Sequence, residues 1–224
     1  QGEQGIRDFI SSGGAYVGFC AGSFWAADQV SWAETASGDR GDFNQSTDYQ
    51  TYDYDLNLLP GVAQGPFGWI PWSGGTSASL EPVAIDTTNE TMVALGLPAE
   101  TRFFYYGGPF FTGFDPGLEG LEVWARAVAP AGLVPAASTG DGQPTIVRFP
   151  SGTGTVILFS YHPEILIDSM ADGVQLSTYI DETAVAWDTG TQTQAEINLD
   201  SWNIVHAALQ IAAGEPVTRL EALP

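Results

Sequence analysis

Cys20 is the one cysteine of the 224-residue chain. It lies in Gly13-Gly14-Ala15-Tyr16-Val17-Gly18-Phe19-Cys20-Ala21-Gly22-Ser23-Phe24, an apolar run that breaks into small residues around a thiol. A buried strand that turns sharply into a helix holds its turn residue in a crowded conformation, and only small neighbours such as Gly18, Ala21 and Gly22 fit around it. The sulfur is then thrust out above the sheet at the positive end of a helix, which suits a nucleophile. The Ala21 N–H, with Gly22 beside it, is placed to receive an oxyanion. A lone cysteine is more often a small buried hydrophobe; the flanking glycines and the strand-to-helix context favour the nucleophile.

A second apolar run, Thr155-Val156-Ile157-Leu158-Phe159, ends in Ser160-Tyr161-His162-Pro163-Glu164. Pro163 has a fixed φ and restricts the residue before it to an extended path, so His162 leaves the strand in a stiff, reproducible direction. Thiol, imidazole and carboxylate are the set required for nucleophile, general base and orienting acid. Without Cys20 the same residues would read as a loop histidine beside an exposed glutamate. His206 falls in the apolar helix predicted over 202–213 and reads as packed or surface-facing.

The elements that must position these groups alternate along the chain. A helix is expected over 1–10, a strand over 15–19, the elbow helix, and then a long polar and aromatic excursion over 28–55. Strands follow over 78–85, 101–106, 121–128, 145–149 and 155–159. Pro150-Ser151-Gly152-Thr153-Gly154 joins the last two as a hairpin. The aromatic segment Gly65-Pro66-Phe67-Gly68-Trp69-Ile70-Pro71-Trp72 reads as a loop sealed onto the core before it reads as a lid or sugar platform. Asp48-Tyr49-Gln50-Thr51-Tyr52-Asp53-Tyr54-Asp55 reads as a solvated strand face before a cation site, since it lacks calcium-loop spacing. No zinc-ligand set and no other metal site is expected.

Composition bounds the setting. At 44% hydrophobic residues the chain supports one substantial core and one domain over 1–224. Twenty-seven acidic residues stand against six arginines and no lysine, a net charge of −21, which repels phosphate backbones and anionic lipid surfaces. Neither nucleic acid nor a membrane is therefore expected as a partner. A charged fraction of 15%, with many Gly, Ser, Thr and aromatic residues, suggests an acid-tolerant secreted protein before a halophilic one. Two glycosylation sequons, at Asn44 and Asn89, fit a eukaryotic secretory route, for instance a fungal one.

The elbow Gly-Gly-Ala-Tyr-Val-Gly-Phe-Cys-Ala-Gly and the late Ser-Tyr-His-Pro-Glu resemble the class I glutamine amidotransferase-like superfamily. Within it the chain is most similar to the branch found at the N-terminus of eukaryotic biotin-protein ligases. Arg7-Asp8-Phe9-Ile10, Leu58-Leu59-Pro60-Gly61-Val62-Ala63-Gln64-Gly65-Pro66 and Tyr105-Tyr106-Gly107-Gly108-Pro109-Phe110-Phe111 carry that likeness, which runs from Gly2 to Glu164. It implies an α/β fold: a mostly parallel open sheet flanked by helices, as a flavodoxin-like three-layer sandwich. It also implies a Cys20–His162–Glu164 triad, with Gly107 and Gly108 lining the mouth of the site. Such a fold carries a first strand and a Pro-Gly-Gly loop ahead of the helix over 1–10, about sixty residues in all, so the expectation is either an N-terminal fragment of the same precursor that completes the sheet, which is favoured, or a longer chain of which these residues are part.

Two function classes follow. One is a secreted cysteine hydrolase acting without a cofactor on an amide or related acyl bond of a small-molecule or peptide-like substrate. The other is a binding or scaffold domain that retains the elbow for packing.

Overall fold

The computed structural model describes residues 2–33, 49–53, 56–70, 78–114, 118–133, 139–166 and 190–222. The first element is helix α1 (Gly2–Ser11), whose Ile10 is fully buried. It closes with the N–H groups of Gly13 and Gly14 donating to the carbonyls of Ile10 and Phe9, and Gly13 turns the chain at φ 111°. Strand β1 (Ala15–Phe19) and helix α2 (Ala21–Ala26) follow with Cys20 between them, as the sequence pattern predicts.

Strands β5 (Ser79–Ile85), β6 (Glu100–Tyr105), β8 (Glu122–Ala127), β9 (Pro144–Ser151) and β10 (Gly154–Phe159) each fall on an expected apolar run. With β1 they form a six-stranded sheet in the order β1-β10-β9-β8-β5-β6. This sheet is mixed, which corrects the expectation of a mostly parallel one. Only β1 and β10 pair in parallel; the other four pairings are antiparallel. The physical reason is local for β9 and β10, because Ser151 pairs with Gly154. The two residues between them, with Gly152 at φ 63°, leave no room for the crossover that parallel pairing needs.

A second, four-stranded sheet has the order β3-β2-β4-β7, formed by β2 (Ala27–Ala33), β3 (Tyr49–Asp53), β4 (Leu59–Gly65) and β7 (Phe110–Thr112). The polar and aromatic excursion expected over 28–55 therefore contributes two paired strands, β2 and β3, where β-branched and aromatic residues suit a pleated surface.

The layers differ from the expected sandwich accordingly. One face of the main sheet is covered by helices α3 (Glu90–Leu95) and α4 (Gln194–Ala212), which bury Met92, Leu95, Ile204 and Ala208 against Val83, Trp124, Ile157 and Phe159. On the other face Ile10 of α1 and Val30, Leu59, Ala63 and Phe111 of the small sheet pack on Val147, Phe149, Val156 and Leu158. Helix α4 begins at a capping box, in which Thr193 and Glu196 satisfy each other's backbone N–H groups, and it extends the expected 202–213 by two turns.

β1 and β6 stand at opposite ends of the strand order, yet α4 packs on both. The segment after β10 reaches β6 directly, with the His162 N–H donating to the Phe104 carbonyl at 2.8 Å. The sheet curls enough to bring its two edges towards each other at the carboxyl ends of β1, β10 and β6. Among the described residues no helix is long and apolar enough to cross a membrane.

Gly154 sits where β10 passes under α1, and a Cβ there would collide with the carbonyl oxygens of Ile10 and Gly14. Gly154→Ala is expected to lower stability by about 1–3 kcal/mol, read as a fall in the urea midpoint at unchanged m-value.

Candidate active site

Cys20 occupies the turn between β1 and α2 with φ 45° and ψ −104°, outside the regions open to an ordinary L-residue. Several contacts sustain that conformation. The Cys20 N–H donates to the Phe159 carbonyl at 2.9 Å, and the Cys20 carbonyl accepts from Ser23 and Phe24, starting α2. A Cβ on Gly18 would come within 2.8 Å of the Tyr16 ring and 3.0 Å of the Gly22 backbone, so glycine at 18 is a steric requirement. Gly22 has no such constraint, since a Cβ there meets only the Tyr16 hydroxyl at 3.5 Å.

Ser23 is the residue that sequence reasoning missed. It is fully buried, with Oγ 2.8 Å from the carbonyls of both Gly18 and Phe159 and accepting the Phe159 N–H at 3.0 Å. One hydroxyl thus ties the elbow to β10, the strand that delivers the imidazole. A serine among small residues carries no sequence signal for such a bridge.

The structure brings Cys20, His162 and Glu164 together. His162 Nδ1 lies 2.8 Å from Glu164 Oε1, which leaves Nε2 for the sulfur side. Burial pulls the imidazole pKa down, but hydrogen bonds to Cys20 and to Glu164, together with their charges, outweigh it and push the value up to about 9. These two neighbours favour the protonated ring over the neutral one. The Cys20 sulfur lies 3.4 Å from the Tyr106 carbonyl, which can accept the thiol proton. The second Glu164 oxygen is buried and has no hydrogen-bond partner among the described residues.

Residues 104–108 form the opposing wall. Buried Tyr105 donates its hydroxyl to the Gly108 carbonyl at 2.8 Å and accepts the Phe67 N–H at 3.0 Å, while its ring stacks on Phe67 at 4.4 Å. Gly107 turns the chain at φ 73°, and a Cβ on Gly108 would overlap the Ser160 carbonyl. Both glycines are buried, so they allow the 106–108 turn to approach the strand carrying His162. The aromatic segment after β4 seals onto this wall. Phe67 is fully buried, Trp69 stacks on it at 4.7 Å, and the Trp69 indole N–H donates to Glu81 at 2.8 Å. Trp72 lies outside the described residues.

Ala21 is exposed at the first position of α2, where the N–H has no intrahelical acceptor. His206 lies on α4, and its buried Nδ1 has no hydrogen-bond partner among the described residues. Asn89 caps α3, accepting from the N–H groups of Thr91 and Met92, and its Nδ2 donates to Glu122 at 3.0 Å. A glycan would take the place of one of the two hydrogens on that nitrogen, next to the bond to Glu122. Asn44 lies outside the described residues. Among the described residues no group of three or more His, Cys, Asp and Glu side chains is placed to hold a metal ion.

Two measurements test this geometry. Ser23→Ala removes a buried bridge and leaves its partners unpaired, so a loss of about 1–3 kcal/mol is expected from urea denaturation. For His162 the folded pKa of about 9 exceeds the unfolded 6.5, so its contribution to stability is full below pH 6.5 and is lost as pH rises through about 9. In His162→Gln that decline between pH 6.5 and 9 is expected to disappear.

Residues 1–201 match the family model described as biotin-protein ligase, N terminal. The chain is also 24% identical over 168 residues to the biotin-protein ligase of Schizosaccharomyces pombe, covering 71% of this chain and 22% of that protein. The chain thus spans about a fifth of the length of this relative, and the family match covers most of the chain, including Cys20, His162 and Glu164. The chain belongs to the biotin-protein ligase N-terminal family.

Proposed function

We propose that the domain is a cysteine-nucleophile hydrolase of an amide or related acyl bond, with Cys20 attacking, His162 moving the proton and Glu164 holding the imidazole. The observation that carries this reading is the thiol at φ 45° above the sheet, beside an imidazole whose far nitrogen is held by a carboxylate. A nucleophile held in a strained elbow and a base oriented by a third group are what acyl transfer requires.

In the first half-reaction a C–S bond forms between Cys20 and the substrate carbonyl carbon, and the carbonyl oxygen takes negative charge near the Ala21 N–H. Collapse breaks the bond to the leaving group, which receives the proton from His162 Nε2. In the second half, water attacks the thioester carbonyl and gives its proton to His162 Nε2. The acid leaves, and the thiolate is returned beside the imidazolium. With its pKa raised to about 9 by its contacts with Cys20 and Glu164, His162 is suited to give a proton to the leaving group.

A scaffold reading has its own support. The sulfur has the Tyr106 carbonyl as an acceptor, and Gly108 packs directly on Ser160, so the elbow also serves as a packing joint. Biotin ligation is the activity named for the fission yeast relative, of which the matched part is 22%; the reading proposed here rests on the site instead. A secretory setting is proposed on composition, because the Asn89 amide is already engaged at both ends. Among the described residues β1 is an edge strand of the main sheet, where an added strand would pair.

The test is acylation of Cys20 by p-nitrophenyl acetate and alkylation by iodoacetamide. The expected result is a stoichiometric nitrophenolate burst with an acetyl group on Cys20, absent in Cys20→Ala. Alkylation at pH 6 should be at least about tenfold faster than in His162→Gln. Alkylation at equal rates in the two proteins, or at the rate of the unfolded chain, overturns the hydrolase and leaves the scaffold.

A further inference from the structure

We propose a second binding site, for a small amino acid, in a cavity at the end of the main sheet opposite Cys20. The cavity has a volume of about 520 Å³ and lies among the starts of β1, β10 and β8, the end of β9 and the carboxyl end of α4. Cys20, His162 and Glu164 lie at the other end of these strands.

Arg148 is one of only six cations in a chain of net charge −21, and it lines this cavity. Its Nη1 donates to Glu122 Oε1 at 2.9 Å, with the two side chains 32% and 31% exposed. Glu122 is already well supplied with donors: its Oε2 accepts from the Trp124 indole at 2.9 Å and from Asn89 at 3.0 Å. Asn89 is in turn fixed as the cap of α3. The carboxylate is thus an anchor rather than an available ligand. It holds one edge of the guanidinium while further N–H groups remain to donate to a carboxylate in the cavity.

A second feature favours a positive group on the same ligand. Helix α4 is 19 residues long and ends into the cavity, at Ile211 to Gly214, with no basic residue in its last turn. The N–H groups of Ala213, Glu215 and Gly214 donate to the carbonyls of Leu209, Gln210 and Ile211, and among the described residues no basic side chain of the helix offsets what remains of its negative end, which attracts a cation. The same negative end and the charge of the whole chain disfavour a dianion such as phosphate. Gly13 adds backbone without a side chain on one wall, where a Cβ would meet only the Thr153 hydroxyl at 3.6 Å, so the room there suits a short side chain. One carboxylate, one ammonium and little else is the chemistry of a small amino acid.

Calorimetric titration of the full chain with L-alanine, propionate and inorganic phosphate tests the assignment. L-alanine should bind, and propionate, which has the carboxylate without the ammonium, should bind at least about tenfold more weakly, as should phosphate. Arg148→Gln should weaken alanine by at least about tenfold, and Arg148→Lys should restore part of the loss. Cys20→Ser should leave alanine binding unchanged, which separates this site from the proposed hydrolase. If Arg148→Gln does not fold, alanine should still shift the amide resonances of residues 13–15 and 211–214 in the native protein. Absence of alanine binding, propionate as tight as alanine, phosphate tighter than alanine, or shifts confined to residues around Cys20 overturns it.

Discussion

The arrangement depends on one pairing, the parallel register of β1 against β10. Phe19 stands opposite Phe159, so the residues that follow, Cys20 and Ser160, leave the sheet at the same level and on neighbouring strands. A slip of one residue would turn the side chains of β10 to the opposite face and carry His162 away from the sulfur. Several interactions hold the register at its critical end: the Cys20 N–H on the Phe159 carbonyl, the Ser23 hydroxyl between Gly18 and Phe159, and the stacked rings of Phe19 and Phe159 at 4.8 Å. The strain of a cysteine at positive φ is sustained by hydrogen bonds to the strand that delivers its partner.

The curl of the sheet supplies the other wall. Strand β6 would lie far from β1 in a flat sheet of this order, yet Phe104 accepts from His162 and the Tyr106 carbonyl faces Cys20. That close approach is possible because Gly108 has no side chain to meet Ser160. A line of contacts braces it from behind, running from Tyr105 through Phe67 and Trp69 to Glu81. Glu81 is 8% exposed, and burial pushes its carboxyl pKa up against the lowering effect of hydrogen bonds from Ser79 and Trp69. A buried acceptor at the far end of an aromatic stack fixes the indole, and the indole fixes the ring beneath it.

Much of this was legible along the chain wherever the signal is local. Glycines around a single cysteine, a proline after a histidine and a glycine-rich turn each act within a few residues, so β1, the elbow and the β9–β10 hairpin fall where their patterns put them. Strand direction is different, because an apolar run does not say whether its neighbour runs with it or against it. The mixed sheet is set by connections such as the two-residue turn after Ser151 and by the packing of the second sheet. Strand β2 is hidden in the polar excursion because its polar residues mask a β-rich pattern, whereas β3 falls on the alternating segment that reads as a solvated strand face. Ser23 and Arg148 carried no signal, since their roles arise from partners 136 and 26 residues away in sequence.

The charge of the site is set by contact, not by the charge of the chain. A net −21 would favour protonation of any imidazole, but salt screens exposed charges beyond about 10 Å. At His162 the largest single influence is burial, which works against the proton. What reverses it is the pair of neighbours, Cys20 on one side and Glu164 at 2.8 Å on the other. Glu164 devotes one oxygen to the ring, and among the described residues its other, buried oxygen has no hydrogen-bond partner. The Ile165 N–H closes a turn on the His162 carbonyl around Pro163, so backbone geometry as well as attraction sets the alignment of carboxylate and imidazole. The raised imidazole pKa is therefore a product of the stiff turn after β10, and that turn has its place only because β10 is locked beside β1.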